Sequence, residues 1–281
     1  MPRINQNIPA MITGGSLRKA NRHLEKSLEK LSTGLRINRA SDDAAGLSVS
    51  EQLRTQTRGL AMGNRNIQDG VALLNIAEGA LIEIEDMLQR MRELSIQAAN
   101  DTLTGTERNY IQVEFDRLKE EIDRIANGTQ YNSQKLLNGV DIWATGGVLH
   151  AGPNDNSDGT DAVILTIGGV TTGSMSIDGA NCVVTSQTGA TAAITSLDTA
   201  LDSVNTLRAD LGAQTNRLEH ALSNQENQEQ NMTAAESTIR DADFAQETMT
   251  FTRNQILQQS STSMLAQANM VPQSVLSLLQ G

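Results

Sequence analysis

The sequence predicts a mainly α fold: a bundle and coiled coil of long helices, with a small β-hairpin region and with the N- and C-terminal helices paired. Three observations carry this. Apolar residues recur every seven positions over stretches too long for a single compact-domain helix, only 2% of the 281 residues are aromatic, and one internal stretch turns to Gly, Thr, Asn and Asp. Rings normally supply much of the buried area of a compact domain, so Leu, Ile, Val, Met and Ala must fill this interior, as they do in bundles and coiled coils.

The first element is an arm in which Leu17, Leu24 and Leu31 alternate with Leu28 and Leu35, a heptad grammar that asks for a partner helix. Pro9 and Gly14-Gly15 are expected to interrupt it, since Pro removes a helix bond and Gly weakens a helix. Residues 1–40 carry eight Lys/Arg against Glu25 and Glu29. Such a basic arm suits either a solvated face or orientation against acidic partners.

A very long helix follows, from Ser41-Asp42-Asp43, which suit an N-cap and an acidic first turn, to about Asn100. Leu53, Leu60, Ile67, Leu74, Leu81 and Leu88 form one seam, and Gln56, Gly63, Gly70, Ala77, Ile84, Met91 and Ala98 its companion. At 1.5 Å per residue it would be roughly 90 Å long. Thr104 with Glu107 reads as a capping box for a shorter helix whose inner face is Ile111, Phe115, Leu118, Ile122 and Ile125, stopped by Asn127-Gly128. The two make an antiparallel hairpin.

From Leu137 to about Thr191 short β-branched runs, Val163–Ile167 and Cys182–Thr185, are punctuated by Gly168-Gly169 and Asp178-Gly179, which predicts hairpins and loops. Helical spacing returns at about 192–239, with Val204, Leu211, Leu218, Met232 and Ile239 in register and Gln225 as the polar member; this helix closes the bundle. In the last element Leu257, Met264, Val271 and Leu278 alternate with Ala268 and Val275.

Both termini lack ionic groups: residues 4–17 and 254–281 hold no charged side chain, yet are rich in Asn, Gln, Ser and Thr. Hydrogen-bonded amides and hydroxyls are buried at far lower cost than charges, so both tips are expected to end in crowded, water-poor surroundings. A lone monomer offers none, and the arms are expected to order only when neighbours surround them.

A net charge of −11 disfavours nucleic acid as the main partner. One cysteine, Cys182, excludes an internal disulfide and reads as a small hydrophobe in a strand. The start shows no secretory signal, and no window resembles a membrane span. Catalysis finds no support. His23, His150 and His220 lie in different elements, Asp42-Asp43 reads as a cap, and no phosphate-cradling loop is present. No cofactor or metal is expected. Asn127-Gly128-Thr129 and Asn231-Met232-Thr233 match the glycosylation triplet, but Ser and Thr within 145–190 are the better sugar acceptors if there are any.

The string Leu31-Ser32-Thr33-Gly34-Leu35-Arg36-Ile37-Asn38-Arg39-Ala40-Ser41-Asp42-Asp43-Ala44-Ala45-Gly46-Leu47 resembles the N-terminal signature of bacterial flagellin. Ile239-Arg240-Asp241-Ala242-Asp243-Phe244, Gln255–Gln259 and the closing Met264–Leu279 resemble its C-terminal counterpart. The resemblance covers about residues 4–139 and 195–281. It implies a homopolymer: a subunit of the flagellar filament, for swimming motility, whose terminal helices pair and line an inner tube while the bundle builds an outer one. It also implies an extracellular location, reached through the flagellar type III apparatus without a cleaved signal peptide, and as partners an export chaperone and cap and junction proteins.

The implied domains are an inner coiled-coil arm domain, 1–40 plus 240–281, and a bundle domain, 41–239, with a β-hairpin insert at about 138–190 and no outer domain. Met270 stands where the family commonly has Gln, and Pro272 matches the family, with a local kink expected. Arm packing falls to Leu17, Leu24, Leu28, Leu31, Leu35, Leu257, Met264, Ala268, Val271, Val275 and Leu278. The bundle core falls to Leu53, Leu60, Ile67, Leu74, Leu81, Leu88, Phe115, Leu118, Ile122, Leu211 and Leu218. A further string, Leu88–Gln97, resembles the segment recognised by the flagellin-sensing Toll-like receptor, which singles out Gln89, Arg90, Arg92, Glu93, Leu94 and Glu114 for receptor recognition or for contact between subunits. The alternatives are a hook-filament junction protein, which would stop after one ring, and a signalling coiled coil, which would want a membrane span or sensor domain.

Overall fold

A computed structural model describes residues 6–155, 159, 161–178 and 182–279, with side chains described as far as Met270. The chain forms two compact units, one of residues 1–55 and 231–281 and one of residues 56–230.

In the first unit, α1 (Ile8–Thr33) and α6 (Phe244–Leu279) lie antiparallel. At one end the Asn7 side chain donates to the Ala268 carbonyl (2.8 Å), and at the other the Ala242 amide donates to the Gly34 carbonyl (2.9 Å). Pro9 does not interrupt α1. It sits in the first turn, where its missing N–H leaves nothing unpaired, and Asn7 caps that turn by accepting from the Ala10 amide (3.1 Å). Gly34 ends α1 with φ +74° and returns its N–H to the Lys30 carbonyl, the left-handed stop that glycine adopts without strain. The expected kink at Pro272, and the seam positions Val271, Val275 and Leu278, lie outside the residues whose side chains are described.

The second unit is built on two helices that also reach into the first, α2 (Ala44–Ala98) and α5 (Gln187–Arg240), together with α3 (Gly105–Gly128). The heptad leucines drive their pairing by burying one continuous stripe. Leu60, Ile67, Leu74, Leu81 and Leu88 of α2 are buried, as are Phe115 and Ile122 of α3 and Val204, Leu211 and Leu218 of α5; Leu118 packs at the margin. Leu53, half-buried, belongs to the first unit. Thr104 and Glu107 cap α3 reciprocally, the Glu107 carboxylate accepting from the Thr104 amide at 2.7 Å.

Between α3 and α5 lie two antiparallel hairpins. β1 (Gln130–Tyr131) and β2 (Gln134–Lys135) turn through Asn132 and Ser133, both at positive φ. After the short α4 (Ile142–Thr145), β3 (Gly147–His150) pairs with β4 (Ala162–Leu165), Val148 opposite Ile164. The expected strand at Cys182–Thr185 is absent. That stretch is irregular, because its backbone groups are taken by side chains of α3 in place of a ladder: Lys119 donates to the Cys182 carbonyl (2.7 Å), and the Val184 amide donates to Gln112 (2.7 Å). Cys182 is thus a buried hydrophobe, but in a loop.

The segment after β3 lies flat on a glycine track of α2. A methyl group on Gly59 would come within 2.6 Å of Pro153, one on Gly70 within 2.7 Å of Leu149, and one on Gly63 would run into the Ala151 carbonyl oxygen. Asn66 ties the same segment down by donating to the His150 carbonyl (2.8 Å).

Candidate assembly surface

The two strings that carry the resemblance, one from each half of the chain, meet in the first unit as a clasp. Past the glycine stop, Leu35 bridges Asp241 in antiparallel fashion, and the Arg36 amide donates to the Arg240 carbonyl (2.6 Å). The Arg36 guanidinium also donates to the Ile239 carbonyl through Nε (3.2 Å) and Nη2 (2.5 Å), so one side chain serves a carbonyl at the end of α5 that the helix leaves free. Arg240 in turn donates to Glu51 of α2 (2.7 Å).

Around the clasp Ile37 is 2% exposed, Lys26 pairs with Asp42 (3.0 Å) and Arg39 with Glu29 (2.9 Å). The Lys26 ammonium holds the Asp42 carboxyl below its ordinary range, and Asp43 caps α2 by accepting from the Gly46 amide (2.9 Å). Of the described basic residues in the first forty, Lys26 and Arg39 form local ion pairs, Arg36 serves the clasp, and Arg18, Lys19 and Arg22 are exposed.

Above the clasp, the arms pair through an unusual seam. On α1 it runs through Leu17, Ala20, Leu24, Ser27 and Leu31, with Ala20 and Ser27 buried and the leucines half-buried. On α6 it runs through Thr250, Asn254, Gln258, Ser261, Leu265 and Ala268, with Asn254 and Ala268 buried. Small and amide side chains thus take seam positions where a water-soluble coiled coil places leucine.

The apolar positions singled out on α6 mostly stand open: Leu257 is 49% exposed and Met264 is 56% exposed at the margin of the seam, and Met249, Ile256 and Met270 are exposed farther round the helix. On α1, Met11, Ile12 and Leu28 are exposed as well, while Leu35 stands half-buried beyond the helix, at the clasp. A shallow groove of about 570 Å³ runs along the outer face of α6, lined by Thr248, Met249, Thr252, Arg253, Ile256 and Leu257. α6 therefore carries an apolar open surface besides the face spent on α1, while on α1 the open apolar side chains are Ile8, Met11 and Ile12 in the first turns and Leu28, and the exposed residues between them are largely charged. Arg253 is the last charge before the ion-free tip.

In the second unit, Arg90 bridges Glu93 (3.0 Å) on its own helix and Glu114 (2.9 Å) on α3; the two carboxylates raise the guanidinium pKa, Glu114 foremost. All three are exposed, as is Gln89. Arg92 is engaged with Asp198 of α5 (2.6 Å), and Leu94 is buried in the core, so neither belongs to the same open patch. Among the described residues no group of three or more His, Cys, Asp or Glu converges, and no helix is long and apolar enough to cross a membrane.

Residues 4–141 match the bacterial flagellin N-terminal helical region and residues 194–279 the bacterial flagellin C-terminal helical region. Among curated proteins the chain is 45% identical to a flagellin of Halalkalibacterium halodurans, over 99% of each chain. It is 42% identical to a flagellin of Bacillus subtilis, over 99% of this chain and all of that one, and 43% identical to flagellin FlaB2 of Treponema pallidum, over 99% of each. A solved structure, a putative flagellar hook-associated protein from Vibrio parahaemolyticus, shares the fold at a TM-score of 0.56 with 15% identity, covering 71% of this chain and all of that one. With relatives this close along its whole length, and with both terminal regions matched, this chain belongs to the bacterial flagellin family.

Proposed function

We infer that this chain, a structural subunit of the bacterial flagellar filament, polymerises through the outer faces of its paired arms. The observation that carries the reading is the second, open apolar face on α6, Met249, Ile256, Leu257 and Met264, on a helix whose last 28 residues hold no charge. A monomer gains nothing by exposing such a stripe, and apolar surface of that extent is covered in assemblies. Neighbouring copies supply the cover. In this reading the arms, residues 1–40 and 240–281, line an inner tube, and the bundle, 41–239, builds an outer one.

The same reading places the chain outside the cell, exported by the flagellar type III apparatus without a cleaved signal peptide, with an export chaperone covering α6 beforehand and cap and junction proteins at the filament ends. It assigns the chain no catalytic role. The exposed Gln89, Arg90, Glu93 and Glu114 serve first as contacts between subunits. A flagellin-sensing Toll-like receptor would meet that patch on free subunits only.

Seeded growth tests the reading. Purified protein added to filament fragments is expected to elongate into long tubes visible by negative stain, and a chain lacking residues 254–281 to remain a soluble, helical monomer that adds to no seed. Normal tubes from the truncation would refute assembly through the arms. A single ring would point to a junction protein, and discrete bundles to a signalling coiled coil. For the receptor patch, Arg90→Ala with Glu114→Ala should abolish reporter-cell signalling by free subunits, and undiminished signalling would dismiss it.

A further inference from the structure

We propose that the arm methionines Met11, Met249, Met264 and Met270 form an oxidative modification site, at which peroxides convert the thioethers to sulfoxides on free subunits and thereby bar them from the filament. This rests on the reading that the outer arm faces are buried between copies.

The placement of sulfur is uneven. In the second unit Met91 is fully buried, Met175 is 7% exposed and Met87 is packed against the core, and of the described methionines there Met62 alone is open. On the arms the reverse holds: Met11, Met249, Met264 and Met270 are each more than half exposed. On α6 Met249 and Met270 stand with Ile256 on the side away from the Asn254–Ser261–Ala268 seam, and Met264 stands with Leu257 at the open margin of that seam. Three of the large apolar side chains that make this stripe are therefore flexible thioethers, soft enough to mould to a neighbour and also the ones an oxidant can change.

The chemistry needs only the thioether and a peroxide. A sulfur lone pair attacks one peroxide oxygen, the O–O bond breaks as the S–O bond forms, and a proton passes to the departing oxygen, which leaves as water or an alcohol. Sulfur loses two electrons and the peroxide gains them. No bond of the chain is cut, and methionine sulfoxide reductases restore the thioether.

The consequence differs between units. Oxidants do not reach Met91 in the bundle core, so the fold of the second unit persists. On the arms a polar, chiral sulfoxide replaces an apolar group on the surface that a neighbour must dry. Burying one such oxygen without a partner is enough to raise the concentration needed for growth by about tenfold. Once a subunit is in the filament its arm thioethers are covered, so the block acts on subunits awaiting assembly and spares finished filaments.

The test uses the full chain. Free subunits are treated with hydrogen peroxide, sulfoxides are mapped by peptide mass spectrometry, and the critical concentration is measured by seeded elongation, before and after repair with both sulfoxide reductases. Met62, 53% exposed on the second unit, reports the dose. Expected are sulfoxides at the four arm positions with Met91 spared, a critical concentration at least about tenfold higher, recovery on repair, and arm positions left unmodified when preformed filaments receive the same dose. A variant carrying Met11→Leu, Met249→Leu, Met264→Leu and Met270→Leu should polymerise and ignore peroxide; if those leucines themselves impair growth, the repair of native protein decides alone. Oxidised arms that elongate at the untreated concentration overturn the inference and leave assembly through the arms standing. Untreated protein that never elongates overturns both.

Discussion

Replacing a glycine by alanine in α2 should change stability in opposite directions at two positions of the same helix. At Gly79 an added methyl meets nothing within 4 Å, so the substitution only removes the backbone entropy that glycine costs a helix, about 0.8–1 kcal/mol. At Gly63 the methyl runs into the Ala151 carbonyl oxygen, well inside the 3.0 Å that real contacts respect, with Gln225 Oε1 at 3.2 Å.

That oxygen has little freedom to withdraw. The Ala151 and Gly152 amides both donate to the Asp161 carbonyl, at 2.7 and 2.9 Å, and Asn66 holds the neighbouring His150 carbonyl. Lifting the segment costs about 1–3 kcal/mol of overpacking and about 1 kcal/mol for the displaced Asn66 bond. Set against the same helix gain of about 1 kcal/mol, the net loss is about 2 kcal/mol. For a unit of this size each kcal/mol moves Tm by about 2–4 °C. Gly79→Ala should therefore melt about 2–4 °C higher than the parent and Gly63→Ala about 4–8 °C lower, by circular dichroism below the critical concentration so that assembly adds nothing. If Gly63→Ala melts at or above the parent, the segment does not rest on the helix as described and the glycine track is not a close approach.

Three further outcomes follow from the bundle. Phe115→Ala, at a fully buried position, should cost about 3–5 kcal/mol, whereas Arg90→Ala should leave stability close to the parent's because both of its ion pairs are exposed; equal losses in urea titrations would contradict the burial. Hydrogen bonds from the Thr104 backbone and hydroxyl hold the Glu107 carboxyl below its ordinary value of 4.5. The cap's contribution is therefore present above pH 4.5 and fades as pH falls through the lower folded value, and Thr104→Ala, which should cost about 1 kcal/mol at neutral pH, should lose part of that penalty in melts near pH 3. Burial pushes the Cys182 thiol up to about 11 from 9.0. Above pH 9 the unfolded thiol ionises and the folded one does not, so stability should decline between about pH 9 and 11 and level off beyond. Cys182→Ala should remove that slope, and a slope unchanged by it would assign the decline elsewhere.

The helices were legible because their signals are redundant. Seven-residue spacing from Leu60 to Leu88, a capping box at Thr104 and renewed spacing from Val204 to Leu218 each name a helix, and all need the same burial. The family strings were legible as strings, while their meeting was not. Nothing local shows that the carbonyls of Ile239 and Arg240 are met by Arg36 from 203 and 204 residues away along the chain.

The phase of α6 was the hardest to read, since without charges between 254 and 281 there is no polar face to mark the outside. Apolar spacing drew attention to Leu257 and Met264, but α1 offers Ala20 and Ser27, and small seam positions admit amides and hydroxyls as readily as leucine. Gly59, Gly63 and Gly70 carry seven-residue or four-residue spacings that look like a seam until the segment lying on them is seen. The β1–β2 turn escaped notice because Asn132 and Ser133 reach positive φ without a glycine, and the Cys182 segment because its backbone partners are side chains of another helix.

Amide hydrogen exchange along α1 and α6, in free subunits and again in filaments, bears most directly on whether copies of the chain are held together by arms that order on assembly. The expected result is rapid exchange across residues 8–33 and 244–279 in the subunit, with the bundle around Leu81 and Leu211 already protected, and slow exchange in both arms once polymerised. Arms as well protected in the free subunit as in the filament would contradict it.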